Sequence, residues 1–173
     1  MAFRTAACDG IAYENSAFSP EARNWLHRPE LAGHRSGVPY PCQWCHGAAG
    51  IGLARIGALG ALDDRAIRAD IDAAIQTTIE VPIVAMDHLC CGNFGRIEFL
   101  FTAGRRLGRD DLVGLALDRA AQLVARAHEA GTFKWGLATE RHSPGFFTSM
   151  AGVGYELLRL THPEVLPSVL LWE

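Results

Sequence analysis

From residue 47 onward the apolar positions recur with a helical period. The plainest run is Ile67, Ile71, Ile75 and Ile79, branched residues four apart on one stripe. The remaining face carries Asp63, Asp64, Arg65, Arg68, Asp70 and Asp72, with the acids gathered in the first turn, where the helix dipole favours negative charge. This predicts an outer helix with one wet face. Leu112, Leu115, Leu123 and Val124, set against Asp110, Asp111, Asp118, Arg119 and Arg126, predict a second. Between them, residues 51–59, 97–107 and 146–160 are apolar almost all round, the pattern of buried helices. A short apolar tail, Val169, Leu170, Leu171 and Trp172, follows Pro163 and Pro167.

The expected fold class is therefore all-α, with buried and amphipathic helices in alternation. The buried segments also align with one another: Gly47-Ala48-Ala49-Gly50-Ile51, Gly92-Asn93-Phe94-Gly95-Arg96 and Ser149-Met150-Ala151-Gly152-Val153. Steps of 45 and 57 residues separate the matched glycines at 50, 95 and 152. One helix pair per unit at about this spacing is a solenoid or closed-toroid signature. Small residues at the helix starts would let them approach closely at the narrow end of a ring. Residues 45–173 thus read as three Gly-led helical repeats. Residues 1–44 read as an irregular lead-in, in which Phe3 to Tyr13 fits the end of an outer helix and Ser19-Pro20, Pro29, Gly33, Pro39 and Pro41 punctuate a long connection.

At 173 residues, 49% hydrophobic and 20% charged, the chain suits one globular domain. A formal net charge of -3 provides no positive field for a phosphate backbone, which argues against nucleic acid as a partner. Neither a basic leader with an apolar core nor an apolar run of about 18 residues is evident, so no membrane span is expected and the expected compartment is the cytoplasm.

Cysteines change the picture most. They stand at 8, 42, 45, 90 and 91, an odd count that disfavours a disulfide framework. Cys42-Gln43-Trp44-Cys45 matches the C-x-x-C redox pattern without the βαβ surroundings that pattern needs. Cys45 and the Cys90-Cys91 pair instead occupy equivalent turns of successive repeats, so stacking the repeats brings them to one end of the array. Backbone N–H groups and the positive end of a helix dipole at each turn favour thiolates. Three soft ligands leave the fourth tetrahedral position of Zn²⁺ open, as in a catalytic site. Three thiolates give such a site a net charge of about -1, which suits thiol alkylation better than water activation. Two plainer readings stand beside it: small buried cysteines at helix starts, and a closed structural site with Cys42 as fourth ligand.

The motifs W-C-H-G-A-x-G-I-G-L-A-R, L-C-C-G-N-x-G and P-G-F-F-T-S-M-A-G-V-G-Y-E-L-L-R-L resemble the C-terminal cyclase domain of class II lanthipeptide synthetases, the LanM type, and more broadly LanC-like proteins; Ile11-Ala12-Tyr13-Glu14 and Asn24-Trp25 fit as well. The resemblance implies a toroid of seven inner and seven outer helices with Zn²⁺ at one end. There the cysteine of a dehydrated precursor peptide is bound as thiolate and adds to dehydroalanine or dehydrobutyrine, giving a thioether ring. It places Cys45, Cys90 and Cys91 on the zinc ligands, the last being His in many relatives.

His46 falls on an active-site position beside the first ligand, as a proton donor or as a plain hydrogen-bonding residue of the helix start. His88 either orients a ligand or sits on a surface turn. His142, in the loop before the third buried segment, either faces the same cavity or lies apart from it, and Trp44 and Phe94 either wall the site or simply pack. About three of the family's seven helix pairs are present, without its upstream catalytic His and Asp or a dehydratase domain. The expectation is the last part of a larger enzyme, incomplete alone, partnered by an N-terminal half or a second copy. A non-catalytic zinc-binding module that docks on a partner through exposed apolar faces is the alternative. A prenyltransferase-like toroid is disfavoured, because its carboxylate and histidine ligand pattern is not seen.

Overall fold

The computed structural model describes residues 2–27, 39–136 and 145–173. They form α1 (Ala2–Asn15), β1 (Phe18–Ser19), β2 (Asn24–Trp25), α2 (Ala48–Ala58), α3 (Arg65–Glu80), α4 (Asn93–Leu107), α5 (Asp110–Ala130), α6 (Met150–Thr161) and a closing 3₁₀ turn, Val169–Leu171. The fold is all-α; β1 and β2 make only a two-residue antiparallel pairing, Phe18 with Trp25 and Ser19 with Asn24. Helices α2 and α3 pack as one hairpin and α4 and α5 as the next, while α4 lies between α2 and α6. The core runs along this inner row, where Phe94, Phe99 and Leu100 are fully buried. No helix among the described residues is long and apolar enough to cross a membrane.

The repeat is drawn in the backbone. Gly47, Gly92 and Ser149 are the N-caps of α2, α4 and α6, in the register of the aligned glycines. A Cβ on Gly50 would lie 1.9 Å from the Trp44 carbonyl oxygen, on Gly95 2.1 Å from that of Leu89, and on Gly152 1.9 Å from that of Phe146. Each glycine therefore admits the carbonyl six residues upstream of it. The shared small residue has this local cause: the chain's own turn folds down onto the first helical turn.

Helix α3 buries Ile67, Ile71 and Ile75 as the periodicity predicts. Its acids do not lie in the first turn, because the helix starts at Arg65; Asp64 is the N-cap, and its carboxylate accepts from the N–H groups of Ala66 and Ile67 at 2.8 and 2.9 Å. Asp64→Ala is expected to lower stability by about 1 kcal/mol in urea unfolding, whereas Asp64→Asn, which keeps the cap, changes it little. Asp70 is also not on the wet face. It accepts from Arg55 Nε at 3.0 Å and Asn15 Nδ2 at 3.0 Å, while Arg55 also reaches Glu14 at 2.7 Å. One buried guanidinium thus ties α1, α2 and α3 together, its charge matched by carboxylates that let it leave water.

In α5 the buried stripe is Leu112, Ala116, Ala120, Leu123 and Ala127, and Val124 is exposed; the alanines matter because a close helix crossing needs small residues more than large ones. Helix α4 is buried from Asn93 through Gly104, as expected. Helix α6 is shorter than the apolar segment and not buried all round: Met150 and Leu158 are 59% and 58% exposed, since α4 covers only one side of it.

Candidate metal centre

Both cysteine turns end at an inner helix, and main-chain bonds stitch them together. The N–H of Cys45 donates to the carbonyl of Cys90 at 3.3 Å, and the N–H of Cys90 donates to that of Phe147 at 2.9 Å. Positions 45, 90 and 147 are equivalent in the three repeats, so one ladder of two rungs crosses all three helix starts, with cysteine at its first two positions and phenylalanine at its third. Around Cys45, Gln43 N–H donates to His46 O and Gly50 N–H to Gln43 O, folding the turn onto α2; Asn24 Nδ2 anchors the approach on Pro41 O at 3.0 Å. Gly47 has φ +88°, and a Cβ there would meet Pro41 O at 1.7 Å, so only glycine fits.

Cys45 Sγ is 3.2 Å from Cys91 Sγ, Cys91 Sγ is 3.5 Å from Cys90 Sγ, and the three sulfurs lie within 4.8 Å of one another. Zn–S bonds of about 2.3 Å in a tetrahedron place sulfurs about 3.8 Å apart. The donor set and its spacing therefore fit zinc with shifts of a few tenths of an ångström, and the half-buried thiols leave a side open to solvent.

The proton balance fits as well. Hydrogen bonds from Cys45 and then from Cys91 hold the Cys90 thiol far below the usual thiol range. Cys45 is pushed up, first by its bond to Cys90, then by Cys91 and by burial. Cys91 is pulled down by Cys45, but Cys90 and burial outweigh this and its net shift is upward. The triad gives up one proton readily and resists losing the other two, because three sulfur anions at this spacing repel unless a cation lies among them.

Cys42 stands apart. It is buried, its Sγ is 3.4 Å from Thr78 Oγ1, burial pushes its thiol up, and it is not a member of the sulfur group. Cys42→Ala is accordingly expected to keep full zinc content by atomic emission; loss of the metal would restore the closed four-cysteine site.

The Cys90-Cys91 turn is held by side chains the sequence only hinted at. Asp87, fully buried, accepts from Asn93 Nδ2 at 2.8 Å, from the Lys134 N–H at 2.7 Å and from Arg126. His88 is buried rather than on a surface turn: its Nδ1 accepts from the Cys91 N–H at 3.3 Å, which orients a cysteine through its backbone. Asp87-His88 immediately before the cysteines was the available signal.

His46 is exposed, and its ring stands 4.4 Å from that of His27, a residue that no motif marks although Asn24-Trp25 is close by. Trp44 stacks on Phe147 at 5.2 Å and donates from Nε1 to Leu170 O, so it walls the centre and packs at once. Phe94 is pure core, fully buried with its ring edge-on to Phe133. His142 lies outside the described residues.

A search of curated proteins gives no match. The family model for lanthionine synthetase C-like protein matches residues 2–171, which is nearly the whole chain and spans the ladder, the inner helix row and all three clustered sulfurs. On that match the chain belongs to the lanthionine synthetase C-like family.

Proposed function

We propose that the chain is the cyclase portion of a lanthipeptide synthetase of the LanM type, its C-terminal part, working in the cytoplasm on a dehydrated precursor peptide. The observation that carries this reading is the convergence of Cys45, Cys90 and Cys91 on one point at the start of α2 and α4. These three residues would hold Zn²⁺, which supplies Lewis acidity that keeps an incoming cysteine ionised near neutral pH.

The chain's own groups do the rest. The ladder between repeats fixes the sulfurs before any ligand arrives, and the open side admits a peptide thiol. That thiol releases its proton, and sulfur adds to the β-carbon of a dehydroalanine or dehydrobutyrine. The alkene pair moves towards the neighbouring carbonyl, and a proton then arrives at the α-carbon. His46, exposed and next to Cys45 in the chain, with the His27 ring 4.4 Å away, would deliver that proton.

Incubating the zinc-loaded chain with a dehydrated precursor and counting free thiols tests the proposal. Thiol loss that stops in His46→Ala and disappears on chelation is the expected outcome. Unchanged thiols, with and without an added N-terminal half, would refute it. A second reading, a zinc-binding module that docks on an N-terminal half or on a second copy, is favoured by the exposed Met150 and Leu158 of α6. A clean monomer on sizing chromatography with no partner counts against it.

A further inference from the structure

Among the described residues, two separate hollows meet at Cys45, the residue their linings share. The first, of about 330 Å³, is walled by Tyr13, Trp25, Leu26, His27, His46 and Ile51. It is built where the end of α1 and the β1–β2 pair meet the turn before α2. The second, of about 540 Å³, is walled by Trp44, Gly50, Ala54, Leu170, Leu171 and Trp172. Its floor is the exposed side of α2, and its aromatic wall is Trp44, stacked on Phe147 with Trp172 tilted 6.2 Å away. Both are small, near the lower end of the few-hundred-Å³ range of ligand sites, so each has room for a side chain and neither for a folded partner.

We propose that the two hollows are subsites for the residues flanking the substrate cysteine, so that the centre selects peptides with apolar or aromatic neighbours on both sides of the reacting thiol. The inference rests on the cyclase reading and deepens it. A peptide whose cysteine approaches the sulfurs across Cys45 would set the side chains before and after that cysteine against the two hollows that Cys45 borders. Each meets rings and aliphatic surface there, so burying an apolar flank releases water from both faces. Acidic flanks are disfavoured for two reasons, which the two imidazoles of the first hollow only partly offset. The three thiolates leave the centre negative even with a divalent cation, and the one carboxylate at the first hollow, Glu14, adds charge of the same sign while Arg55, its partner, is buried behind it.

The test is calorimetric titration of the zinc-loaded chain with acetylated, amidated pentapeptides that carry a central cysteine flanked by Phe, Leu, Gly or Asp, varied one side at a time. Phe or Leu on either side is expected to bind about ten-fold or more tighter than Asp and several-fold tighter than Gly. Ala54→Trp, which fills the second hollow from an exposed helix position, should erase the preference at one flank only. Ala17→Phe, which fills the first, should erase it at the other. Affinities within two-fold across the series in the unmodified chain would overturn the subsites, whatever the variants do. Peptides with serine in place of cysteine separate the two levels of argument: if they bind as tightly as the cysteine peptides, thiol capture itself fails and the cyclase reading falls with it. If cysteine is required and the flanks are indifferent, only the subsites fall.

Discussion

Cys90→Ala protein is expected to lose its zinc. A structural zinc site binds with about 10–16 kcal/mol in all, so one ligand of four is worth roughly 3 kcal/mol and its removal costs on the order of a hundred-fold in affinity. Cys45 and Cys91, 3.2 Å apart, would remain together but offer only two of the three sulfurs. Competition with a chromogenic chelator at neutral pH measures the loss directly. Cys45→Ala should behave alike, and Cys8→Ala, at an exposed position on α1, should behave as the unmodified chain. Equal affinity in Cys90→Ala and Cys8→Ala proteins would remove the metal centre.

The second large effect lies on the other side of α4. Glu98 and Glu156 are each about 1% exposed, and the one cation between them, Arg159, is 6% exposed. Arg159 Nη1 lies 3.1 Å from Glu98 Oε2 without hydrogen-bond alignment, while Glu98 Oε1 accepts from Thr102 at 3.0 Å and from Ser168. Arg159→Met would leave the buried Glu98 carboxylate with no counter-charge, at a cost of about 3–5 kcal/mol, or roughly 10 °C in melting temperature for a chain of this size. Glu98→Gln in the same background should recover much of that, because the uncompensated charge goes with it.

Glu156 has the opposite sign. Burial, and then the charge of Glu98, push its carboxyl well above the usual range. The folded chain therefore holds a proton there that the unfolded chain releases. Its stabilising contribution is complete below the ordinary carboxylate pKa and falls as pH climbs towards the raised value, at up to about 1.4 kcal/mol per pH unit. Glu156→Gln should be nearly neutral near pH 4 and increasingly stabilising above it. Thermal unfolding from pH 4 to 9 that shows parallel curves for the two proteins would contradict this.

What the sequence made legible were features that depend on period and spacing. Ile67, Ile71 and Ile75 landed in the core because a four-residue stripe has only one face to bury. Cys45, Cys90 and Cys91 came together because equivalent positions in stacked repeats must. Polar residues inside apolar segments stayed hidden. Arg55, Arg96 and Glu98 sit in helices that scan as hydrophobic, and nothing local announces that each finds a partner outside its own helix. Val124 misled for the converse reason: one exposed valine costs little and carries no warning. The His27–His46 contact joins a hairpin to a turn many residues later, a pairing that period cannot encode.

The main-chain rungs from Cys45 to Cys90 and from Cys90 to Phe147 make the centre a clasp on the helix array. Spreading the first two repeats would have to stretch the sulfur triangle, so filling the centre and keeping the array shut are one equilibrium seen from two ends. Free zinc at a thousand times its dissociation constant would add about 4 kcal/mol against opening. Scarcity of the metal would therefore loosen the first two repeats from each other and not merely silence a reaction.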